Sequence, residues 1–428
     1  MTELKLIFIL ACLSCWEIRE LSAQSVTFVP QRPSAGESIE ISYKREVGYL
    51  DSLSTIRAVV YFNGDTEFPV AKEIRLERHA GQWKTSFSTN AYTKSIVVVF
   101  LDSLDHPDNN EGEGYCTPIY KEGVPVPGAL ASVAEMYASN WNPEHTYYLK
   151  RRLDLAKRLY EEDFSRNPQI KRQFTRYYLA TFDLREQDQR EQFKIELDAY
   201  SRVEDLTEWE LKAVSKYYVD LNDTDAAGKY SQEVFNRFPR GSWSIQTKSL
   251  PALKAIYLSN DFEERKAIYY GFKQKYCQSF PDDFTKRVMR NRQTQMLGKI
   301  LEAYPGAQIP EFWNKEILEL EEEYQKYAFK EAARMICSET TNYKLAEVFA
   351  VRAVELQRIF INAPRLAIER TFVSDEKLKK IRENTLGEYL GLYGKTLLFQ
   401  KKHKEALPFL EEAAIRRTKR NNANLNEL

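Results

Sequence analysis

Gly123-Val124-Pro125-Val126-Pro127-Gly128 divides the sequence into two kinds of text. Two prolines and two glycines in so short a run can continue neither a strand nor a helix. Of the 16 glycines, eight lie at or before Gly128 and eight in the 300 residues after it. Glycine supplies turns between short strands and weakens helix interiors. The text before Gly128 is therefore expected to be turn-rich and stranded, and the text after it helical.

Working back from the divide, the alternation is that of half-buried strands. Ile39, Ile41 and Tyr43 share one face while Glu40 and Ser42 share the other. Ile56-Arg57-Ala58-Val59-Val60-Tyr61-Phe62 is a β-branched and aromatic run that meets the turn signal Asn63-Gly64-Asp65. Glu73-Ile74-Arg75-Leu76-Glu77 alternates again, and Trp83, Thr85 and Phe87 fall on one face. Ser95-Ile96-Val97-Val98-Val99-Phe100 is apolar on both faces, which places it centrally in a sheet. With Val26–Phe28 and Tyr115–Tyr120, about seven short strands are expected within about 100 residues, the pattern of an immunoglobulin-like β-sandwich over residues 24–128. There is no Cys-Trp-Cys framework of the antibody type.

Working forward, Ala129–Tyr137 opens helical sequence that runs nearly to the end. Leu149, Leu153, Ala156 and Tyr160 recur at helical spacing. Phe238-Pro239, Phe280-Pro281 and Tyr304-Pro305 are natural helix ends, because proline disfavours helical geometry in the residue before it. The tyrosine pairs Tyr147-Tyr148, Tyr177-Tyr178, Tyr217-Tyr218 and Tyr269-Tyr270 read mainly as packing knobs. The clearest repeat is the last, over residues 386–415. Gly394, Ala406, Leu410 and Ala413 have the small-residue spacing of a tetratricopeptide (TPR) hairpin, with Leu390 and Tyr393 as the large knobs of its first helix. His403-Lys404-Glu405 forms its turn and second-helix start, and Thr418 stands where the closing proline is usual. Weaker echoes run over Leu258–Tyr276 and Tyr217–Phe238. The fold class expected is multidomain β plus α, with residues 129–428 a TPR-like helical solenoid.

Residues 1–23 read as a secretory signal, with an apolar stretch from Leu4 to Trp16 and cleavage before Gln24. A looser reading takes Ile9-Leu10-Ala11-Cys12 as a lipobox, so that a lipid would anchor the chain. No other segment is apolar enough for a transmembrane span. An exported, periplasmic or cell-surface protein follows. Lys plus Arg and Asp plus Glu are each 62, so no net charge draws the chain to nucleic acid or anionic lipid. The basic cluster of Lys150, Arg151, Arg152, Lys157 and Arg158 is interleaved with Asp154, Glu161 and Glu162, as on a solvated helix face.

Chemistry is hard to find. The four histidines, His79, His106, His145 and His403, have no second His or Cys at metal spacing, and no hydrolase, P-loop or dinucleotide motif occurs. No catalytic residue and no cofactor is assigned. Asp102, Asp105, Asp108, Asn109, Asn110, Glu111 and Glu113 crowd one loop, and Asp105, Asp108 and Asn110 are weak Ca²⁺ ligand candidates. The plainer reading is a polar hairpin loop, since the spacing is not that of an EF-hand. Trp83, Tyr61 and Tyr49 are candidates for stacking on a glycan, against a plainer role in the core. Cys12 and Cys15 leave with the signal. Cys116, Cys277 and Cys337 remain, either as buried thiols among apolar neighbours or as one disulfide and a spare thiol.

Several stretches carry a resemblance. Val26-Thr27-Phe28, Pro33-Ser34-Ala35-Gly36-Glu37, Asp108-Asn109-Asn110 with Gly112 and Gly114-Tyr115, and Val126-Pro127-Gly128-Ala129 resemble the N-terminal region of Bacteroidetes-type TlpA-like thioredoxin-family (redoxin) proteins. Phe238-Pro239-Arg240-Gly241-Ser242 and the repeat around Tyr393-Gly394, Lys404-Glu405-Ala406-Leu407 and Leu410-Glu411-Glu412-Ala413 resemble the helical middle of the same proteins. The resemblance implies a sandwich, a TPR-like spacer and a C-terminal thioredoxin domain with a W-C-x-x-C motif for thiol–disulfide exchange. No such motif occurs up to Leu428, and Arg416–Leu428 is a polar tail, so a truncated chain is expected. The expectation for the chain as given is a non-catalytic interaction region with a protein or peptide partner. Membrane association would need a lipid anchor or a missing domain. The alternatives are a stand-alone peptide- or protein-binding TPR protein and a glycan-binding sandwich on a helical stalk.

Overall fold

The computed structural model describes residues 26–44, 55–65, 68–103, 105–139, 147–303, 309–339, 342–366 and 369–418. The signal and lipobox readings, Tyr49, His145 and Tyr304-Pro305 lie outside them. The chain divides into two compact units. The first runs to Tyr200 and includes Arg370–Ser374; the second is Ser201–Glu369 and Asp375–Leu428.

The first unit begins as antiparallel sheet. β1 (Val26–Val29), β2 (Ser38–Tyr43), β6 (Gln82–Ser88) and β5 (Glu77–His79) form one sheet in the order β1-β2-β6-β5. β4 (Val70–Arg75), β3 (Arg57–Asn63) and β7 (Ser95–Leu101) form the second, and β7 also pairs with β8 (Pro107–Asp108) and β9 (Tyr115–Pro118). β10 (Tyr120–Lys121) and β11 (Val124–Pro125) make a small hairpin. The strand segments outnumber the seven expected, because short pairings such as β8 and β10 carry no periodic signal.

The two-residue period sets the core. Ile39, Ile41 and Tyr43 are buried and Glu40 is exposed. They share one apolar cluster with Ala58, Val60, Ile96, Val98 and Phe100 of the second sheet. Across it the Tyr43 ring stacks on Phe100 with centroids 4.1 Å apart, and Phe62 meets Phe87 edge-on at 5.5 Å. β7 is buried along its whole length, as its doubly apolar sequence predicts. Its other face is covered by α1 (Ala129–Ala138), which starts immediately after Gly128. Gly128 has φ 86°, a conformation glycine adopts without strain, and leaves the helix without a side-chain cap of its own. Asp163 of α2 (Leu153–Arg166) supplies one. Its buried carboxylate accepts from the backbone N–H groups of Leu130 (3.0 Å), Ala131 (2.9 Å) and Gly128 (3.3 Å).

α3 (Lys171–Leu179) and α4 (Gln187–Ser201) follow. Tyr160, Phe164, Phe174, Tyr178 and Phe182 interlock as knobs, with neighbouring centroids 5.0–6.1 Å apart. Leu149 is buried but precedes α2 and is not helical, so the helical spacing read from it begins one turn too early. The unit is completed by Arg370–Ser374, which lie on the open edge of β4. Ala71 N donates to Thr371 O (2.9 Å), Thr371 Oγ1 to Pro69 O (3.1 Å) and Ser374 Oγ to Glu73 Oε1 (2.6 Å). Phe372 packs edge-on against Phe68 and Tyr147.

The second unit is helical: α5 (Glu208–Asp220), α6 (Thr224–Arg237), α7 (Ser242–Leu258), α8 (Phe262–Tyr276), α9 (Asp283–Glu302), α10 (Ile309–Leu318), α11 (Glu322–Glu339), α12 (Tyr343–Ile361), α13 (Asp375–Phe399) and α14 (His403–Thr418). Caps set the starts. Thr207 and Glu210 form a capping box on α5, and Asp223, Asp261, Asp282 and Asn342 cap α6, α8, α9 and α12. Phe238 ends α6 as its following proline predicts. Consecutive helices pack on each other in α5–α6, α11–α12, α12–α13 and α13–α14. At the last of these a Cβ on Gly394 would stand 2.6 Å from Leu410 Cγ and Cδ2, so any side chain there would force Leu410 aside. Ala406 and Leu390 are buried, and Tyr393 meets Phe409 at 4.5 Å.

α7 starts against a carboxylate. Glu208 of α5 accepts from Trp243 N (2.9 Å) and Ser244 N (3.2 Å), doing for α7 what Asp163 does for α1. A Cβ on Gly241 would lie 2.3 Å from Glu208 Oε1, which is why the glycine precedes this helix.

Candidate functional site

The acidic loop of the first unit is held from all sides. Asp108 accepts from the phenols of Tyr43 (2.5 Å, to Oδ2) and Tyr115 (3.0 Å, to Oδ1). Asp105 pairs with Arg57, which also holds Glu73 at 2.6 Å. Asn110 Nδ2 donates to Gly114 O (3.1 Å), and Asn109 Nδ2 to Tyr148 O (2.5 Å). The buried carboxylate of Asp102 takes the His106 backbone N–H (2.8 Å) and faces His106 Nδ1 (2.9 Å), while Glu113 meets Arg152 at 2.9 Å. Asp105 and Asp108 thus fasten the loop to Arg57, Tyr43 and Tyr115, and Asn110 closes it on itself at Gly114. Among the described residues, no group of three His, Cys, Asp or Glu side chains is placed to hold a metal ion.

Of the aromatic candidates, Tyr61 is buried and meets Tyr147 edge-on at 5.6 Å, so it offers no face to a sugar. Burial drives its phenol far above the usual range. Trp83 is half-buried against the core, with the Arg78 guanidinium 6.0 Å over its ring. The three described cysteines are free thiols. Against the expectation of three buried thiols, Cys277 is buried, Cys337 is half-buried, and Cys116 is exposed as a residue, although its Sγ lies 3.5 Å from Glu113 O and Tyr137 Oη and burial there pushes the thiol up to about 11. Burial pushes the Cys277 thiol up to about 12, which suppresses its thiolate at neutral pH.

The second unit holds two polar clusters that the sequence reading did not single out. In the first, Tyr269 Oη donates to Glu316 Oε2 (2.7 Å) and receives Gln293 Nε2 (2.9 Å). Lys273 Nζ donates to the same Glu316 oxygen (2.7 Å) and pairs with Glu319. Burial pulls the Lys273 ammonium down, but its hydrogen bonds to Glu316 and Glu319 outweigh that and hold it above its usual value. Arg290 grips Glu321 with two hydrogen bonds, at 2.9 and 3.1 Å. Each charge here meets an opposite charge, and the cluster cross-links α8, α9 and α10.

The second cluster is unbalanced. Lys326 of α11 is 5 % exposed. Its ammonium lies 4.3 Å from the centroid of Phe360 and 5.0 Å from that of Tyr327. The nearby carboxylate of Glu369 is spent on Arg382 (2.6 and 3.1 Å) and on Leu366 N (2.8 Å). Arg382 is further held by the carbonyls of Ala363 and Pro364. Burial, with only distant help from Glu369, pulls the Lys326 ammonium down to about 8. Its place in Glu322-Glu323-Tyr324-Gln325-Lys326-Tyr327 looks like ordinary solvated helix, and Phe360 lies on a different helix, so no local pattern marks it.

No protein-family model matches this chain, and no curated protein is similar to it. What the fold defines is a protein of antiparallel sheets followed by packed helices.

Proposed function

We propose that the chain is the interaction region of an exported protein, a β-sandwich followed by TPR-like helical hairpins, and that it acts by offering surfaces to a protein or peptide. The observation that carries this reading is the close approach of α13 and α14 at Gly394, Ala406 and Leu410, the packing that TPR spacing requires. Such hairpins turn side chains outward to meet partners. Large apolar residues are exposed on the helices nearby, among them Val348, Ile359, Leu407 and Ile415. The apolar cluster shared by the two sheets supports the sandwich. The resemblance to TlpA-like proteins supports export and a place beside a thiol–disulfide oxidoreductase domain; an in-frame C-x-x-C domain in the DNA beyond codon 428 is its test.

The binding reading is tested by a peptide-array screen followed by isothermal titration of the wild type and of a Leu407→Glu/Ile415→Glu variant. Saturable binding by the wild type that the variant loses supports it. Failure to bind any peptide or unfolded protein would overturn it. So would turnover in an insulin-reduction assay, with loss on substitution of Cys277 or Cys337.

A further inference from the structure

We propose that Lys326 is a nucleophilic amine that captures small aldehydes as imines, a modification site independent of the surface-binding role. Three observations place it. The side chain is 5 % exposed, yet among the described residues no hydrogen bond or ion pair holds its ammonium. Two aromatic rings, Phe360 and Tyr327, line it instead. The charged groups that face it are Glu369, Arg382 and Glu323, and the Glu369–Arg382 pair is closed on itself.

A lysine set in apolar surroundings beside a second cation is the arrangement that frees an amine for attack on carbonyls. With its ammonium pulled down to about 8, roughly one Lys326 in ten is neutral at pH 7, against fewer than one in a thousand for an ordinary lysine. The neutral nitrogen adds its lone pair to the carbonyl carbon, and the carbonyl oxygen takes a proton. Loss of that oxygen as water, with the remaining amine proton, leaves the imine. No oxidant is needed. Close packing limits the partner to a small aldehyde, and Tyr327, 43 % exposed, puts one wall of the site at the surface.

The test is limiting formaldehyde with cyanoborohydride on the full chain at pH 7, the imine being trapped by hydride as a methylamine and located by peptide mass spectrometry. Lys326 should be methylated at least tenfold faster than the exposed Lys344. Its labelling rate should level off near pH 8, while that of Lys344 keeps rising. Lys326 that stays unlabelled while exposed lysines are converted, or that reacts no faster than Lys344, would overturn the proposal. A Phe360→Leu variant, which keeps the site apolar but removes the ring that attracts the cation, should lower the pH at which labelling levels off; an unchanged profile would also count against it.

Discussion

Placing a methyl group on Gly394 tests the hairpin at its tightest point. The new Cβ would lie 2.6 Å from Leu410 Cγ and Cδ2, where ordinary contact begins at 3.4 Å, so Leu410 or the α14 backbone has to retreat by about 1 Å. Overpacking of this kind costs about 1–3 kcal/mol, and the better helix propensity of alanine returns about 1 kcal/mol. Gly394→Ala should therefore destabilise the second unit by about 1 kcal/mol. Leu410→Ala removes the opposing atoms and should cost about 2 kcal/mol alone, as a half-buried leucine does. Combined, the two should cost less than their sum by about 1–2 kcal/mol, because the truncated residue makes room for the added one. Urea unfolding followed by circular dichroism gives the stabilities, and hydrogen exchange of α13 and α14 peptides locates the change. Additivity within about 0.5 kcal/mol would mean that the helices do not meet at this pair and would refute the reasoning.

Asp163→Ala should strip α1 of its only described cap and cost about 2 kcal/mol, with Asp163→Asn in between; the readout is exchange protection of Leu130 and Ala131 amides. Gly241→Ala should push Glu208 off the start of α7 and cost about 1–2 kcal/mol, whereas in a Glu208→Ala background the same change should be nearly neutral, which paired unfolding curves will check. Lys326→Met should stabilise the protein at pH 7 by up to about 3 kcal/mol, the cost of holding that ammonium near 8 where 10.5 is usual. Between these values the unfolded chain binds more protons than the native one, so wild-type stability rises with pH through this window and the gap to the variant closes by about pH 10. A gap that is the same at pH 7 and pH 9.5 would sink the claim that the ammonium is desolvated.

The elements that follow a local rule were legible. Strand β2 alternates strictly, strand β7 is apolar on both faces, and both lie where those patterns put them. The small-residue spacing around Gly394 foretold the close approach of α13 and α14 because it states a steric requirement that can be read from one chain segment. The acidic loop was legible as polar but not in its connections. Asp108 answers Tyr43, and that contact spans 65 residues and exists only once segments far apart in the sequence meet. Asp163 and Glu208 look like surface acids on amphipathic helices; their helix-end partners lie more than thirty residues away along the chain. Lys326 was invisible for the same reason. Nothing in its own segment says that Phe360 will lie over it or that Glu369 will be taken by Arg382. For Tyr61 the sequence left glycan stacking and the core side by side, and the partner that decides for the core, Tyr147, lies beyond the divide.

The strip at residues 370–374 also imposes an order on biosynthesis. The bond from Thr371 to Pro69 spans 302 residues, so a ribosome adding about 5–20 residues per second finishes β4 roughly 15–60 s before its flanking segment exists. Throughout that interval the nascent strand presents bare amide and carbonyl groups to whatever is near, a second nascent copy included. A holdase that shields this stretch early in translation would raise the yield of folded protein more than one that arrives after release.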